Sequence, residues 1–541
     1  MSDAVVCTEA PEAMPAGRHD AAVQDVVIVG GGVSGTSTLV HLLRRARENQ
    51  ARDERPTRPL RITVVERSED LYAGLPYGSR SGSASLIVTP LRDFLEDGLR
   101  ARFIDWLSEH RASILRAEPG LSASWVEQHA EAIRAGDWEE LFIPRRLFGR
   151  FLRERTEHAV AEASRLGSAQ VRCVRGEAIG VRGEVEHRVV DVATESGTVR
   201  LAAHTVVLAV GSPPKQQLPR RGRGPGLFLD DTHAGDLDAL LDDAAARVRA
   251  LPPGVSRDVL LVGANADALE LLHALDRRGP GTVWERRITV LSRRGEPDAW
   301  RARPDRSAEY ASRHLAAYLE GTAPQRLTAA AVAAAVQADV AAALAAGFCE
   351  QDTVPELKRL TLGALDVMPW DQQQAFVDRY GMETNRFSRP TGGDYHAVTT
   401  RLLAEARLDM VAARYVRAEA TEQGWVVVAA DATGERELSG HYGVIVNCAG
   451  FEPLPSTDDS LLRNLQDSGL VGVTRSGGGI EVDAHYRAAV HVFVAGPLLA
   501  GNLNEHLRLW HVESCRRILG MSREVADAVA ADLAEHERTY A

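Results

Sequence analysis

The chain uses one pattern twice, and that repeat restricts its fold more than any other feature. Residues 25–46 read DVVIVGGGVSGTSTLVHLLRRA, and residues 258–279 read DVLLVGANADALELLHALDRRG. In each, an apolar run of strand length leads through a glycine turn into a helix-period pattern. A second short strand follows each unit, RITVVER at 61–67 and RITVLSR at 287–293. Strand, turn, helix and strand in that order open a Rossmann-type unit. Two such openings predict an α/β protein with two dinucleotide-binding domains. The 541 residues are long enough for two or three cores.

The first unit completes the motif GxGxxG with Gly30, Gly32 and Gly35. Gly30 allows the tight turn, Gly32 lets the backbone approach a pyrophosphate, and Gly35 lets helix and strand pack closely. Val33 and Ser34 start the helix, whose free N–H groups and positive dipole end favour that pyrophosphate. Glu66 ends the next strand, where a carboxylate accepts hydrogen bonds from a ribose, and Arg67 follows it. The polar insertion ENQARDERPTRPLR (48–61) explains the long spacing from Gly35 to Glu66, and we read it as a surface loop. The bland alternative is a glycine-rich loop with a solvated Glu66.

The second unit departs from the motif. Gly263 keeps the turn, Asn265 stands at the second glycine, and Ala268 stands at the third. Its second strand ends in Ser292, Arg293 and Arg294 with no acid, which suits a 2′-phosphate and favours NADPH over NADH. The alternative is a vestigial domain kept for packing.

Later segments order the two domains. TVVLAVGSPP (205–214) and VIVNCAGFEP (444–453) each end in a small residue and a glycine, Gly211 and Gly450. They look like strands that return to a dinucleotide fold. VHVFVAGPLLAGNLNEHLRLWHVESCRRILG (490–520) reads as a strand, a turn at Gly496, and a helix capped by Asn504 and stopped at Gly520. These segments resemble the returning strands and closing segment of two-domain flavoproteins, and the resemblance implies, after a frayed leader at 1–23, a first FAD-binding part at 24–235, an inserted NAD(P)-binding domain at 236–439, and a second FAD-binding part at 440–541. Ala-rich sequence near 305–380 is expected to be a helical elaboration of the insert.

Composition excludes several classes. The net charge of −12, from 63 basic and 75 acidic residues, argues against a nucleic-acid surface. Lys215 and Lys358 are the only lysines, so Schiff-base chemistry has few candidates. The five cysteines form no CxxC pair and no zinc spacing, so no metal is expected and no close redox pair is available. No apolar run at the N-terminus has signal-peptide character. The Ala-rich run 327–348, interrupted by Gln337 and Asp339, reads as a packed helix rather than a membrane span. The expectation is a cytoplasmic protein without membrane contact, and homo-oligomerisation is left open.

With these residues in place, the chain resembles the two-dinucleotide FAD/NAD(P) flavoproteins related to N-hydroxylating monooxygenases, including amino-acid N-oxygenases that form nitroso compounds such as nitrosuccinate. The likeness extends over most of 24–520. It includes GLPYG (74–78), LIVTPLRDF (86–94), IPRRLFGRFLRER (143–155), SRRG (292–295) and NRFSRP (385–390). Val88, where relatives often carry Asn, and Asn265 depart from it.

The resemblance implies FAD and NADPH as cofactors, O2 as co-substrate, and a small amine or amino acid as substrate. NADPH reduces FAD, the reduced flavin captures O2 at C4a, and a dry pocket protects the hydroperoxide. Tyr77 and Pro76 are candidates to pack near the flavin, Arg145 and Arg146 to pair with a substrate carboxylate, and Asn385 and Arg386 to touch nicotinamide or substrate. Asn502, Asn504 and His506 are placed at the flavin-side helix start, with His506 as a proton donor. Each also has a purely structural reading: surface arginines, a solvated loop, a helix cap. Oxygenation at sulfur or carbon, simple reduction, and a non-catalytic FAD-binding scaffold are the competing functions.

Overall fold

A computed structural model describes residues 23–52, 58–183, 187–279, 282–284, 286–296, 305–385 and 392–540. The expected leader therefore lies almost wholly outside the described residues, as does Arg386. The chain divides into two compact units. One comprises 1–78, 147–214 and 453–541; the other comprises 79–146 and 215–452.

The first unit is built on a sheet whose central strand is Gln24–Val29, parallel to Leu60–Glu66 on one side and Gly197–Leu208 on the other. Ala169–Arg175 extends it beyond Leu60–Glu66, and Val492–Val494 beyond Gly197–Leu208, both parallel. A parallel sheet is covered on both faces, so its strands read as near-continuous apolar runs. Val26, Val27, Ile28, Val206, Val207 and Leu208 are fully buried accordingly. The helix Val33–Arg52 buries Leu39, Leu42 and Leu43 from one face. It continues through ENQAR, so the first third of the expected surface loop is helix.

The second unit repeats the plan. Its parallel sheet runs Leu408–Ala412, Ile288–Ser292, Val259–Val262, Val444–Asn447, Leu227–Leu229. The motif strand is again central, flanked by the strand that follows it and by a returning strand. A small sheet carries an antiparallel meander, Arg414–Thr421, Gly424–Asp431 and Gly434–Glu437. Helices His314–Gly321, Ala329–Ala345 and Glu350–Val367 fill the Ala-rich stretch.

The expected boundaries shift in three places, the first being 215–235, whose strand Leu227–Leu229 pairs with Val444–Asn447 in the second unit. Val444–Asn447 pairs with Val259–Val262, so 440–452 closes the second sheet instead of returning to the first. Residues 79–146 also belong to the second unit, where Leu86 donates its N–H to the Tyr395 hydroxyl. Long-range partners, in strand pairing for 215–235 and 440–452 and in side-chain hydrogen bonding for 79–146, decide all three, and local sequence does not carry them.

Candidate functional site: two glycine turns

In the first unit the backbone needs glycine at two motif positions for reasons internal to the protein. Gly30 has φ +105°, and a Cβ there would overlap the Ala209 carbonyl. A Cβ on Gly35 would overlap the Gly30 carbonyl and press on Ile28. Gly32 is different. A Cβ there would meet only Gly74 Cα, at an ordinary 3.6 Å, so a side chain would project into the space in front of the helix start. Packing does not demand this glycine, and the room it leaves is the room that a pyrophosphate's close approach needs. The helix behind it is 20 residues long and has no acid in its first turn, so its positive end is free to favour an anion.

The loop is held from the side by Glu66. One carboxylate oxygen accepts from the Gly31 N–H at 2.8 Å, and the other accepts from the N–H and hydroxyl of Ser68, each at 2.8 Å. An ionised carboxylate has about four acceptor positions, so capacity remains for a ribose hydroxyl. Arg67 is exposed and pairs with Glu177 at 3.3 Å. Gly496 (φ +85°) closes on the loop, because a Cβ there would overlap the Ser34 hydroxyl. Gly211 (φ +87°) turns the chain after Gly197–Leu208. Tyr77 packs edge-on against Phe148 at 5.1 Å, and its hydroxyl meets Cys515; Pro76 is exposed. The residues of this cradle fit the pyrophosphate and ribose of a dinucleotide.

The second turn copies the first in its backbone. Gly263 has φ +115°, and a Cβ there would overlap the Cys448 carbonyl, as Gly30 does with Ala209. Gly263 donates to Leu291 O as Gly30 donates to Val65 O, both at 2.8 Å. Gly450 (φ +72°) turns the chain after Val444–Asn447. It therefore serves the second turn, not the first as expected.

The side chains differ. Asn265 has ordinary extended angles and caps the helix Ala266–Arg277, accepting from the Ala268 N–H at 3.4 Å. Asp267 follows in the first turn, ion-paired to Lys215 and 3.5 Å from the His233 imidazole. Burial opposes the Asp267 charge, but His233 and Lys215 more than offset it and hold the carboxyl well below its usual range. Lys215 and His233 are raised in turn; burial works against their charges and Asp267 outweighs it. At the end of the next strand, the Ser292 hydroxyl accepts from Gly295 N–H at 3.0 Å, forming the tight SRRG turn, while Arg293 and Arg294 are exposed.

Several residues read as functional turn out to be committed to structure. Arg145 donates to Leu86 O at 2.9 Å and pairs with Glu270 at 2.7 Å, a carboxylate only 3% exposed. Arg146 donates to Ser81 O at 2.6 Å, Ser79 O at 2.8 Å and Asp236 at 2.7 Å. Neither guanidinium is left to clamp a substrate carboxylate, because buried cations are stable only when paired. Asn502 is also spent: its amide donates to Ile480 O and Leu499 O, and its carbonyl accepts from Val482 N–H.

Asn504 caps no helix. It accepts from the His506 and Leu507 N–H groups in the turn between Asn502–Leu503 and Arg508–Leu509, leaving His506 exposed on the hairpin tip. The terminal helix starts only at Cys515 and passes through Gly520 to Tyr540. The expected flavin-side helix start at 504 is thus a hairpin. Asn385 ends a short helix, and Arg386 lies outside the described residues. Sequence reading missed Asp267, Lys215 and His233 as a group. An acid in the first turn after a glycine loop was the signal available.

Residues 27–213 match the sequence model of the FAD-NAD(P)-binding family. An uncharacterised protein of Mycobacterium tuberculosis (strain ATCC 25618 / H37Rv) is 29% identical over 521 residues, covering 94% of this chain and 96% of that protein. Among solved structures, the reduced form of the ornithine hydroxylase of Pseudomonas aeruginosa aligns with TM-score 0.54 at 15% identity, over 94% of this chain and 100% of that one. The ornithine N-hydroxylase of Kutzneria sp. 744, described with reduced FAD, NADP+ and L-ornithine, aligns with TM-score 0.51 at 16% identity, over 95% and 100%. The L-lysine 6-monooxygenase of Pseudomonas syringae gives 0.51 at 16%, over 94% and 99%. No helix among the described residues is long and apolar enough to cross a membrane. Residues 27–213 thus match the FAD-NAD(P)-binding family, and the chain shares its fold with these ornithine- and lysine-hydroxylating enzymes.

Proposed function

We propose that the protein is an NADPH-dependent FAD monooxygenase that hydroxylates the nitrogen of an amino acid or amine. The observation that carries this reading is the open cradle at Gly32, formed by a complete glycine motif with Glu66 behind it, inside a fold shared with ornithine and lysine hydroxylases. When bound, FAD supplies oxygen activation and NADPH the reducing equivalents. The chain's part is positional. Gly32 leaves room for the pyrophosphate, the helix Val33–Arg52 turns its positive end to it, and Glu66 orients the loop and accepts from the ribose. In the second unit Gly263 supplies the corresponding turn, and Ser292, Arg293 and Arg294 supply an acid-free strand end suited to a 2′-phosphate. Asn385 and Arg386 carry over as candidates for contact with nicotinamide or substrate. No close cysteine pair occurs in the sequence to accept electrons in place of oxygen.

The test is a panel of amino acids, polyamines, thioethers and ketones, followed by NADPH consumption, peroxide release and hydroxylamine or nitroso detection. The reading expects one amine to couple NADPH oxidation to an N-oxygenated product. Clean oxygenation of a thioether or ketone, with only peroxide from every amine, would move the chemistry to sulfur or carbon. A second reading, an FAD-binding protein without turnover, draws on Asn265 and Asp267 at the second turn. It expects no flavin reduction by NADPH under anaerobic conditions.

A further inference from the structure

The helix Ala266–Arg277 begins where a Rossmann unit normally receives its pyrophosphate, and the chain has placed an anion of its own there. Asp267 stands in the first turn, one residue past the Asn265 cap's neighbour Ala266, where a carboxylate is stabilised by the helix dipole. Its charge is answered from two distant segments, by Lys215 and by His233.

Lys215 does not reach the site by chance rotation of a surface side chain. Its side chain is 8% exposed. Its backbone bridges to Phe451, the next residue donates to Gly450 O at 3.0 Å, and the Asn447 amide donates to Gln216 O at 2.7 Å. These bonds fix the lysine beside the loop Cys448–Phe451, against which Gly263 turns. His233 is fixed as well, with its N–H on Asp231 at 2.8 Å. The result is an internal anion with two internal partners at a position the first unit leaves free of acid.

We propose that Asp267 holds the second glycine turn partly closed to a dinucleotide pyrophosphate, weakening its binding there, and that Lys215 is the latent pyrophosphate-binding cation of that turn. An arriving pyrophosphate meets a like charge at the helix start and finds the nearest ammonium already committed. Removing the carboxylate while keeping the lysine converts the same backbone into an attractive anion site. The inference rests on the reading that NADPH uses the second unit.

The test is isothermal titration of the FAD-loaded protein with NADP+, which binds without turnover. Asp267→Asn should tighten the dissociation constant by about tenfold, the scale of one short-range like charge partly shielded by solvent. Asp267→Ser carries the same expectation and guards against a folding defect peculiar to asparagine. Adding Lys215→Met to either should abolish the gain. Flavin content and melting temperature confirm that each variant is folded. A control addresses the underlying reading: Asn265→Asp keeps the helix cap and adds a charge at the turn, so it should weaken NADP+ by about tenfold. If Asn265→Asp binds unchanged, NADP+ does not use this turn and the reading itself falls. If Asn265→Asp weakens binding while both neutral Asp267 variants leave it unchanged or weaker, the turn is used and the self-closure is overturned.

Discussion

The two glycine turns are nearly the same backbone and very different sites. Gly30 and Gly263 both lie at positive φ, both abut the carbonyl that follows a parallel returning strand, and both donate at 2.8 Å to the strand on the other side. What separates them is the side-chain chemistry of four residues, Asn265, Asp267, Lys215 and His233. The first turn has glycine at the second motif position and no acid in the helix's first turn. The second has a capping asparagine and a carboxylate with its own lysine and histidine. A glycine turn specifies where a phosphate can go. The first helical turn decides whether one is wanted.

The largest expected effect comes from the third motif position. Gly35→Val places a side chain onto the Gly30 carbonyl and onto Ile28, so the helix cannot keep its distance from the sheet. Overpacking at a site that cannot yield should cost on the order of 3–5 kcal/mol and take FAD with it. The counterpart change, Ala268→Gly, removes a Cβ already accommodated and should cost about 1 kcal/mol. Chemical denaturation of the pair measures the contrast; similar losses at both positions would mean the two turns are packed alike.

The arginines sharpen the comparison from another side. Arg145→Ala strands Glu270, a carboxylate 3% exposed, without its cation. Breaking a buried pair by removing one partner should cost about 3–5 kcal/mol of stability. A substrate clamp behaves otherwise: a raised KM with an unchanged denaturation midpoint would return Arg145 to substrate binding.

Much of this was legible beforehand. The repeat itself, the central position of each motif strand and the roles of Gly30 and Gly35 follow from local pattern, because a glycine turn between strand and helix needs only its neighbours to be recognised. What stayed hidden depends on distant partners. Val444–Asn447 looks like Gly197–Leu208 in sequence, and only its pairing with Val259–Val262 assigns it to the second sheet. Asn504 has a good capping residue's identity, yet its carbonyl caps a hairpin turn because the segments around 502 and 509 pair. Asp267 is visible in the string, while Lys215 lies 52 residues away and His233 34. Arg145 and Arg146 read as a free pair because the carbonyls and carboxylates that saturate them come from elsewhere in the chain.

A smaller effect is set by pH and is common to both units, since burial also lowers His41 of the first unit from 6.5 to about 4. In the second unit His273 is fully buried, and desolvation first, then the charge of Arg277, lowers its pKa from 6.5 to about 4. The unfolded chain binds a proton here that the folded chain refuses. Stability should therefore fall as pH drops from about 6.5 to about 4 and level off below that. His273→Gln should flatten this slope, by up to about 3 kcal/mol between the two limits. Denaturant melts at pH 7 and 4.5 check it; an unchanged slope in the variant would show that other groups carry the acid sensitivity.

The central claim is that the first turn holds the flavin because its second motif position is empty, and it is tested by exchanging that position between the turns. Gly32→Asn brings the second turn's residue into the first, and Asn265→Gly does the reverse. The measurement is the ratio of flavin to protein in each purified variant, read from the visible absorbance and confirmed by releasing and identifying the flavin. The account predicts that Gly32→Asn folds but loses nearly all its FAD, since a Cβ at Gly32 meets nothing closer than 3.6 Å in the protein, while Asn265→Gly keeps full FAD. Full occupancy in Gly32→Asn, or loss of FAD confined to Asn265→Gly, would contradict it.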